Sequence, residues 1–262
     1  VSIIIALGCI GNMVQSNSIS NAMHTAFGVP LVITGIVTAI LAGAVFFGGV
    51  ARLASVTEKI VPFMAAIYII GGSYVIACHA GELGNAFRLI FVAAFDPQAV
   101  MGGALGLTVA KAMQFGVARG LFSNEAGMGS TPHAHAVAKV EHPAEQGLVA
   151  IFGVFATLIV VTFTGIVILV TGVLDFQSTG IALTQKAYDV GLGSFGVSFV
   201  AICLFFFAYS TIIGWYFFAE QNVRFLFSEK ALLPYRVIVC AFIIVGATLK
   251  VDLVWALADL FN

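Results

Sequence analysis

Charge is scarce in this sequence. Only 9% of its 262 residues are Asp, Glu, Lys or Arg, against roughly 25% in a soluble domain. The eleven Lys and Arg are scattered and the formal net charge is −1, which excludes a nucleic-acid surface and a polybasic lipid patch. Cysteine is sparse as well. Cys9, Cys78, Cys203 and Cys240 lie in apolar runs without metal-ligand spacing, so they imply no disulfide framework and read as buried small hydrophobes. H-E-x-x-H and G-x-S-x-G motifs are missing, and Glu125 is the one obvious acid in the most polar stretch. An intramembrane enzyme would need a nucleophile with a base, paired acids or metal ligands. The chain also shows no initiator Met or signal-peptide pattern, starting inside one apolar run and stopping soon after another opens. The expectation is a piece of a longer protein.

What is abundant is apolar surface: 61% of residues are hydrophobic and mean hydropathy is +1.09. Helices of about 20 apolar residues cross a bilayer, so this composition predicts an all-α, polytopic membrane protein. Hydropathy and breakers divide it into spans at about 1–25, 30–49, 60–79, 99–121, 147–173, 195–219 and 232–249, with an eighth opening near Val251. Segments 83–95 and 178–190 are too short and too amphipathic to cross, and suit helices lying at the interface. Arg52, Lys59, Lys139, Arg224, Lys230 and Arg236 fall in alternate connections, against Arg88, Lys186 and Lys250 in the others. The richer set predicts the cytoplasmic side.

Spans one and six look like copies of one element. Span one carries "GCIGNMVQSNS" and ends before Val29 and Pro30; span six carries "AYSTIIGWYF" and ends before Leu233 and Pro234. Gly11 precedes Pro30 by nineteen residues and Gly214 precedes Pro234 by twenty. The two elements are five spans apart, so they point in opposite directions, as inverted five-helix repeats of secondary transporters require. On that reading residues 1–82 are the last three helices of a first repeat. Residues 83–98 are an external amphipathic connector, and 99–262 are a second repeat truncated in its final helix.

The stretch "GLFSNEAGMGSTPHAHA" at 120–136 is the most polar and flexible part of the chain. Ser123, Asn124, Gly127, Gly129, Ser130 and Pro132 disfavour a continuous helix. Irregular backbone survives in a bilayer only where protein or a water-filled cavity covers it. A broken transport helix presents N-terminal dipole ends to anions and free carbonyls to Na⁺, and Gly127 and Gly129 let a carboxylate approach the backbone. An ordinary cytoplasmic loop is the alternative. Glu125 reads either as an ion-pair brace, with Arg119 or Lys111, or as a direct contact for a cation or amine. His133 and His135 stand two apart without a carboxylate or thiol partner, and read as a solvated loop rather than a metal site.

In span one, Asn12, Gln15 and Ser16 with Gly8 and Gly11 either glue helices together or line a midplane cavity for a small polar ligand. In span six, Ser210 and Thr211 supply hard oxygens suited to Na⁺, while Thr211 and Trp215, four apart, share a face. The alternative is hydroxyl back-bonding to the preceding turn, with Trp215 as an interfacial anchor.

"ARGLFSNEAGMGSTPHAHAVAK" at 118–139 closely resembles the signature of the sodium/alanine (or glycine) symporter family, and "IGNMVQSNSI" at 10–19 resembles a second of its motifs. "TEKIVPFMA", "FAYSTIIGW", "LLPYRV" and "DLVWALADLFN" fit as well, so the likeness covers essentially the whole chain. The resemblance implies a leucine-transporter-like fold of two inverted repeats, incomplete here at both ends, in a multi-pass protein of a prokaryotic inner membrane. It implies Na⁺-coupled uptake of alanine, glycine or another small neutral amino acid by alternating access, with no cofactor besides the coupling ion. A cation channel, or proton coupling on the same fold, is the alternative. By the same resemblance Gly11, Asn12, Gln15, Gly127, Gly129, Ser130, Thr211 and Trp215 line the substrate pocket. Ser210 and Thr211 hold sodium, with Ser123 and Asn124 as weaker candidates. Partner helices of the same protein would lie upstream. Thr131 and His133 depart from the smaller or apolar residues common in the family.

Overall fold

The computed structural model describes residues 1–95, 109–174, 178 and 180–261. Among them the regular elements are all helical: α1 (Ser2–Phe27), α2 (Leu31–Phe46), α3 (Gly49–Cys78), α4 (Leu83–Phe95), α5 (Val109–Ser123), α6 (Thr131–His135), α7 (Pro143–Val170), α8 (Ile181–Leu192), α9 (Phe195–Phe227), α10 (Leu232–Thr248) and α11 (Val251–Phe261). Five of these segments are long and apolar enough to cross a membrane: α1, α3 from Arg52, α7, α9, and α10 with its preceding turn. The first ten residues of the anticipated fourth span, 99–108, lie outside the described residues.

Breakers act where the sequence places them. Gly28 closes α1 in the left-handed region at φ 67°, its N–H bonded to the His24 carbonyl, and Pro30 then sets the entry to α2. Pro143 opens α7, whose first turn is capped by His142 Nδ1 accepting from the Ala144 amide at 3.1 Å. The boundary between spans two and three differs from expectation. Helix α3 starts at Gly49, so Arg52 and Lys59 stand on a helix rather than in a connection. Both are exposed, and charges on an outward face do not interrupt a helical ladder. Segment 178–190 differs too. Helix α8 is tucked into the bundle, with Gln185, Ala187 and Tyr188 buried and the Gln185 amide donating to the carbonyls of Ala22 (3.1 Å) and Val197 (3.3 Å). Cys9 and Cys203 are buried as expected, but Cys78 is exposed at the end of α3.

Helix α1 lies at the centre, packed on α9 and α10. Its polar residues make two of these contacts: Ser16 Oγ donates to the Ile243 carbonyl at 2.7 Å, and Asn17 Nδ2 to the carbonyls of Gly246 (2.9 Å) and Leu249 (2.7 Å). Small residues at the crossings let the backbones approach, as in other membrane helix pairs. A Cβ on Gly246 would stand 2.5 Å from Met13 Cα. Phe46 of α2 stacks on Tyr216 of α9 at 3.7 Å, and Tyr209 donates to the Leu41 carbonyl at 2.9 Å. By contrast α7 leaves Leu148, Ile151, Phe152, Phe155, Leu158 and Ile159 exposed, an apolar outer face of the kind lipid covers.

The deepest charge is Glu220, fully buried on α9. Its Oε1 accepts from Arg224 at 3.1 Å and from Arg236 of α10 at 3.3 Å, while Arg236 Nε donates to the Tyr216 hydroxyl at 3.0 Å. Sequence reading closed span six at residue 219 and so passed over this acid, although an ionisable group inside a membrane helix is itself a signal.

Candidate substrate and cation site

Helix α5 ends at Ser123, and α6 does not begin until Thr131. Between them the chain turns through three left-handed residues, Glu125 at φ 51°, Gly127 at 82° and Gly129 at 71°. Glycine reaches that region without a Cβ clash, whereas glutamate does so only against steric resistance. The stretch is therefore interrupted, as its composition predicts. Gly127 and Gly129 are exposed, with nothing within 4 Å of where a Cβ would be. Gly127 also borders a cavity of about 490 Å³ shared with Ser2, Ile3, Ala6 and Phe261.

Glu125 is where the interruption meets the bundle. Its Oε1 accepts from Trp215 Nε1 at 2.5 Å, and its Oε2 accepts from Ser130 Oγ. Ser130 is fully buried and Trp215 nearly so. Of the two anticipated ion-pair partners, Arg119 is committed elsewhere: it binds Asp259 of α11 through both guanidinium nitrogens, at 2.5 and 3.1 Å, and lies 4.2 Å over the Trp255 ring. The Lys111 side chain is outside the described set. Among the described residues Glu125 thus has hydrogen-bond donors but no cationic partner.

Trp215 also touches α1 and α5. A Cβ on Gly11 would stand 2.5 Å from the indole Cε3, so glycine there makes room for the ring. Phe122 meets the indole edge-on at 5.3 Å. Gly11 ends a π-helical turn, Ala6–Gly11, a local widening often found at functional positions. Asn12, next in sequence, is fully buried. Its Nδ2 donates to the Gly8 carbonyl at 3.0 Å, and its Oδ1 has no protein partner. Gln15 is half-buried. The structure therefore gathers Gly11, Ser130 and Trp215 with Phe122 and Glu125. Phe122 and Glu125 were absent from the anticipated pocket lining.

The hydroxyl pair of α9 shows the back-bonding pattern. Ser210 Oγ and Thr211 Oγ1 both donate to the Phe207 carbonyl, at 2.8 and 3.0 Å. Donation leaves each oxygen its lone pairs, so the pattern is compatible with a cation contact. Ser123 is exposed, and Asn124 Nδ2 caps the Gly120 carbonyl at 3.1 Å. His133 corrects the solvated-loop expectation: its Nδ1 lies 3.0 Å from the Ser130 carbonyl and its Nε2 3.0 Å from Asn222 Nδ2 on α9. The neutral Nδ1–H tautomer satisfies both contacts. His135 Nδ1 lies 2.7 Å from Gln146 Oε1. Among the described residues no cluster of His, Cys, Asp and Glu is suited to a metal ion.

Among the described residues the regular elements are helices, five of them long and apolar enough to cross a membrane, with an interrupted segment held against one of them; this combination suits a multi-pass membrane protein. The description "sodium:alanine symporter family" fits residues 1–262, and the chain belongs to that family. The family is one of symporters. It is 42% identical over 261 residues to the sodium/alanine symporter AgcS of Methanococcus maripaludis, covering 97% of this chain and 56% of that protein. It is 41% identical over 264 residues to the probable sodium/glutamine symporter GlnT of Bacillus subtilis, covering 100% and 54%. A sodium/proton-dependent alanine carrier protein of Bacillus sp. (strain PS3) is 37% identical over 279 residues, covering 99% and 62%. The chain spans a little over half the length of these curated relatives.

Proposed function

We propose that these residues belong to a secondary active transporter that takes up alanine, glycine or another small neutral amino acid together with Na⁺, by alternating access in a prokaryotic inner membrane. The observation that supports this best is the interrupted segment itself, which is anchored through Glu125 and Ser130 to Trp215 on a membrane-length helix. Irregular backbone in a transport helix can offer amides and carbonyls to a zwitterion; here the amides of Asn124, Glu125, Ala126 and Met128 are bonded locally, and Gly127 and Gly129 are exposed. In this reading Gly127, Gly129 and Ser130 receive the amino acid from one side, Gly11, Asn12 and Gln15 from α1, and Thr211 and Trp215 from α9. The unpartnered Oδ1 of buried Asn12 is an acceptor ready for an ammonium or a cation.

The scaffold on this reading is leucine-transporter-like. Residues 1–82 close a first inverted repeat, 83–98 connect, and 99–262 form most of the second. The remaining helices lie in the part of the relatives' length that this chain does not span. One Na⁺ descending 100 mV releases about 2.3 kcal/mol, which sustains an accumulation of about fifty-fold.

The test is uptake of radiolabelled alanine into proteoliposomes of the intact protein, with a Na⁺ gradient, a proton gradient, or neither. Uptake driven by Na⁺ and saturable in alanine is the expected result, and Na⁺ flux that ignores alanine would indicate a channel instead. The relative named sodium/proton-dependent supports proton coupling as a second reading, which the proton arm decides. In the same assay Ser210→Ala with Thr211→Ala should raise the Na⁺ concentration for half-maximal uptake about tenfold, the cost of one lost charged contact. An unchanged Na⁺ curve places the ion elsewhere.

A further inference from the structure

We propose that Glu125 is a positioning residue for substrate selectivity: tethered by Ser130, its carboxylate holds the Trp215 indole against Gly11, so that the interrupted segment sets the size limit of the pocket. The inference rests on the transport reading above and adds to the Glu125 anchor a role in substrate selectivity.

Three features of the geometry carry it. First, the carboxylate is oriented from both ends, with Ser130 Oγ on Oε2 and the indole N–H on Oε1. Charge-assisted bonds of this kind are stronger and more directional than neutral ones. Second, the chain bends through the left-handed region at Glu125 itself, φ 51°. A non-glycine residue kept in that conformation points to a side chain whose placement matters. Third, no cation among the described residues competes for the carboxylate, because Arg119 is held by Asp259. The indole belongs to an apolar cluster with Leu7, Ile10, Met13, Phe122 and Val254, side chains that offer its N–H no acceptor. The bond to Glu125 favours the ring orientation that presents the N–H to it. Because Trp215 stands on continuous α9 and Glu125 on the interruption, any displacement of residues 124–130 is passed to the ring.

The experiment compares Glu125→Gln, Trp215→Phe and the double variant in the intact transporter. Glu125→Gln keeps the side-chain volume and removes the charge; Trp215→Phe keeps an aromatic ring and removes the N–H donor. Each should weaken discrimination between alanine and larger neutral competitors such as valine and leucine about tenfold, the ratio expected when a charge-assisted bond becomes a neutral one or is lost. Because Trp215→Phe removes the bond that Glu125→Gln only weakens, the double variant should relax selectivity no further than Trp215→Phe alone. Multiplicative effects, or a Glu125→Gln that slows alanine and leucine equally, would overturn the proposal.

A second readout is independent of transport. With ¹⁵N-labelled tryptophan, the indole N–H resonance that disappears in Trp215→Phe should move in Glu125→Gln and in Ser130→Ala. A resonance that stays in place in both overturns the latch even if transport is normal. Conversely, a wild-type protein that takes up no small amino acid overturns the transport reading, and the resonance still decides the latch.

Discussion

Trp215→Ala is expected to collapse discrimination by side-chain size and to weaken alanine binding at least a hundredfold. The indole fills the space above Gly11, meets Phe122 edge-on at 5.3 Å and gives its N–H to Glu125 at 2.5 Å. Truncating a packed aromatic to alanine costs about 3–5 kcal/mol in protein interiors. Here the vacated volume borders a proposed ligand site, so larger amino acids should enter it. Competition of labelled alanine uptake by valine, leucine and phenylalanine measures the effect directly. If those competitors remain as weak against the variant as against the parent, Trp215 does not wall the pocket.

The second large effect is structural. Gly246→Val should prevent α1 and α10 from closing, because a Cβ at position 246 would lie 2.5 Å from Met13 Cα and 2.9 Å from the Met13 carbonyl oxygen. Those are backbone atoms, which cannot turn aside as a flexible side chain can. Separation of the helices would also stretch the bonds from Ser16 to Ile243 and from Asn17 to Gly246 and Leu249. Overpacking costs about 1–3 kcal/mol, and each buried polar group left unsatisfied about 1–3 kcal/mol more. Together they consume much of a typical stability of about 5–15 kcal/mol. Thermal unfolding in detergent, followed by loss of the monodisperse peak, should show the variant melting well below the parent. Gly43→Ala is the control: its Cβ would meet only Cys240 Sγ, at 3.6 Å, and should melt like the parent. Equal melting of Gly246→Val and the parent would disprove the close crossing.

Local chemistry accounts for what the sequence revealed. Gly28 with Pro30, Pro143, and the run from Ser123 to Pro132 break helices by backbone sterics alone, and the structure interrupts its helices at each. Hydropathy located the membrane-length helices because a bilayer-spanning segment must be apolar over its whole length. It misjudged the start of α3, where Arg52, Glu58 and Lys59 suggested a connection although their outward side chains leave the ladder intact. Pairings distant in sequence were the least legible. Glu125 and Trp215 are 90 residues apart, Arg119 and Asp259 are 140 apart, and no spacing rule links them. For Glu125 the sequence offers either a nearby cation, Arg119 or Lys111, or a direct contact to a cation or amine, whereas the fold gives it an indole. Asn222 carries no sequence signal that marks it, yet with Ser130 it supplies the polar partners of His133.

The Glu220 cluster has a consequence for biogenesis. An isolated guanidinium or carboxylate in the hydrocarbon costs about 2.5–3.5 kcal/mol on insertion scales. Glu220 already has Arg224 one turn along α9, whereas Arg236 entering with α10 alone would incur that cost. The short Glu229–Ala231 turn brings Arg236 to Glu220 across adjacent helices, so the cost to Arg236 falls when the two helices lie side by side. Insertion of α10 is therefore expected to be easier with α9 already beside it, where Glu220 can receive Arg236.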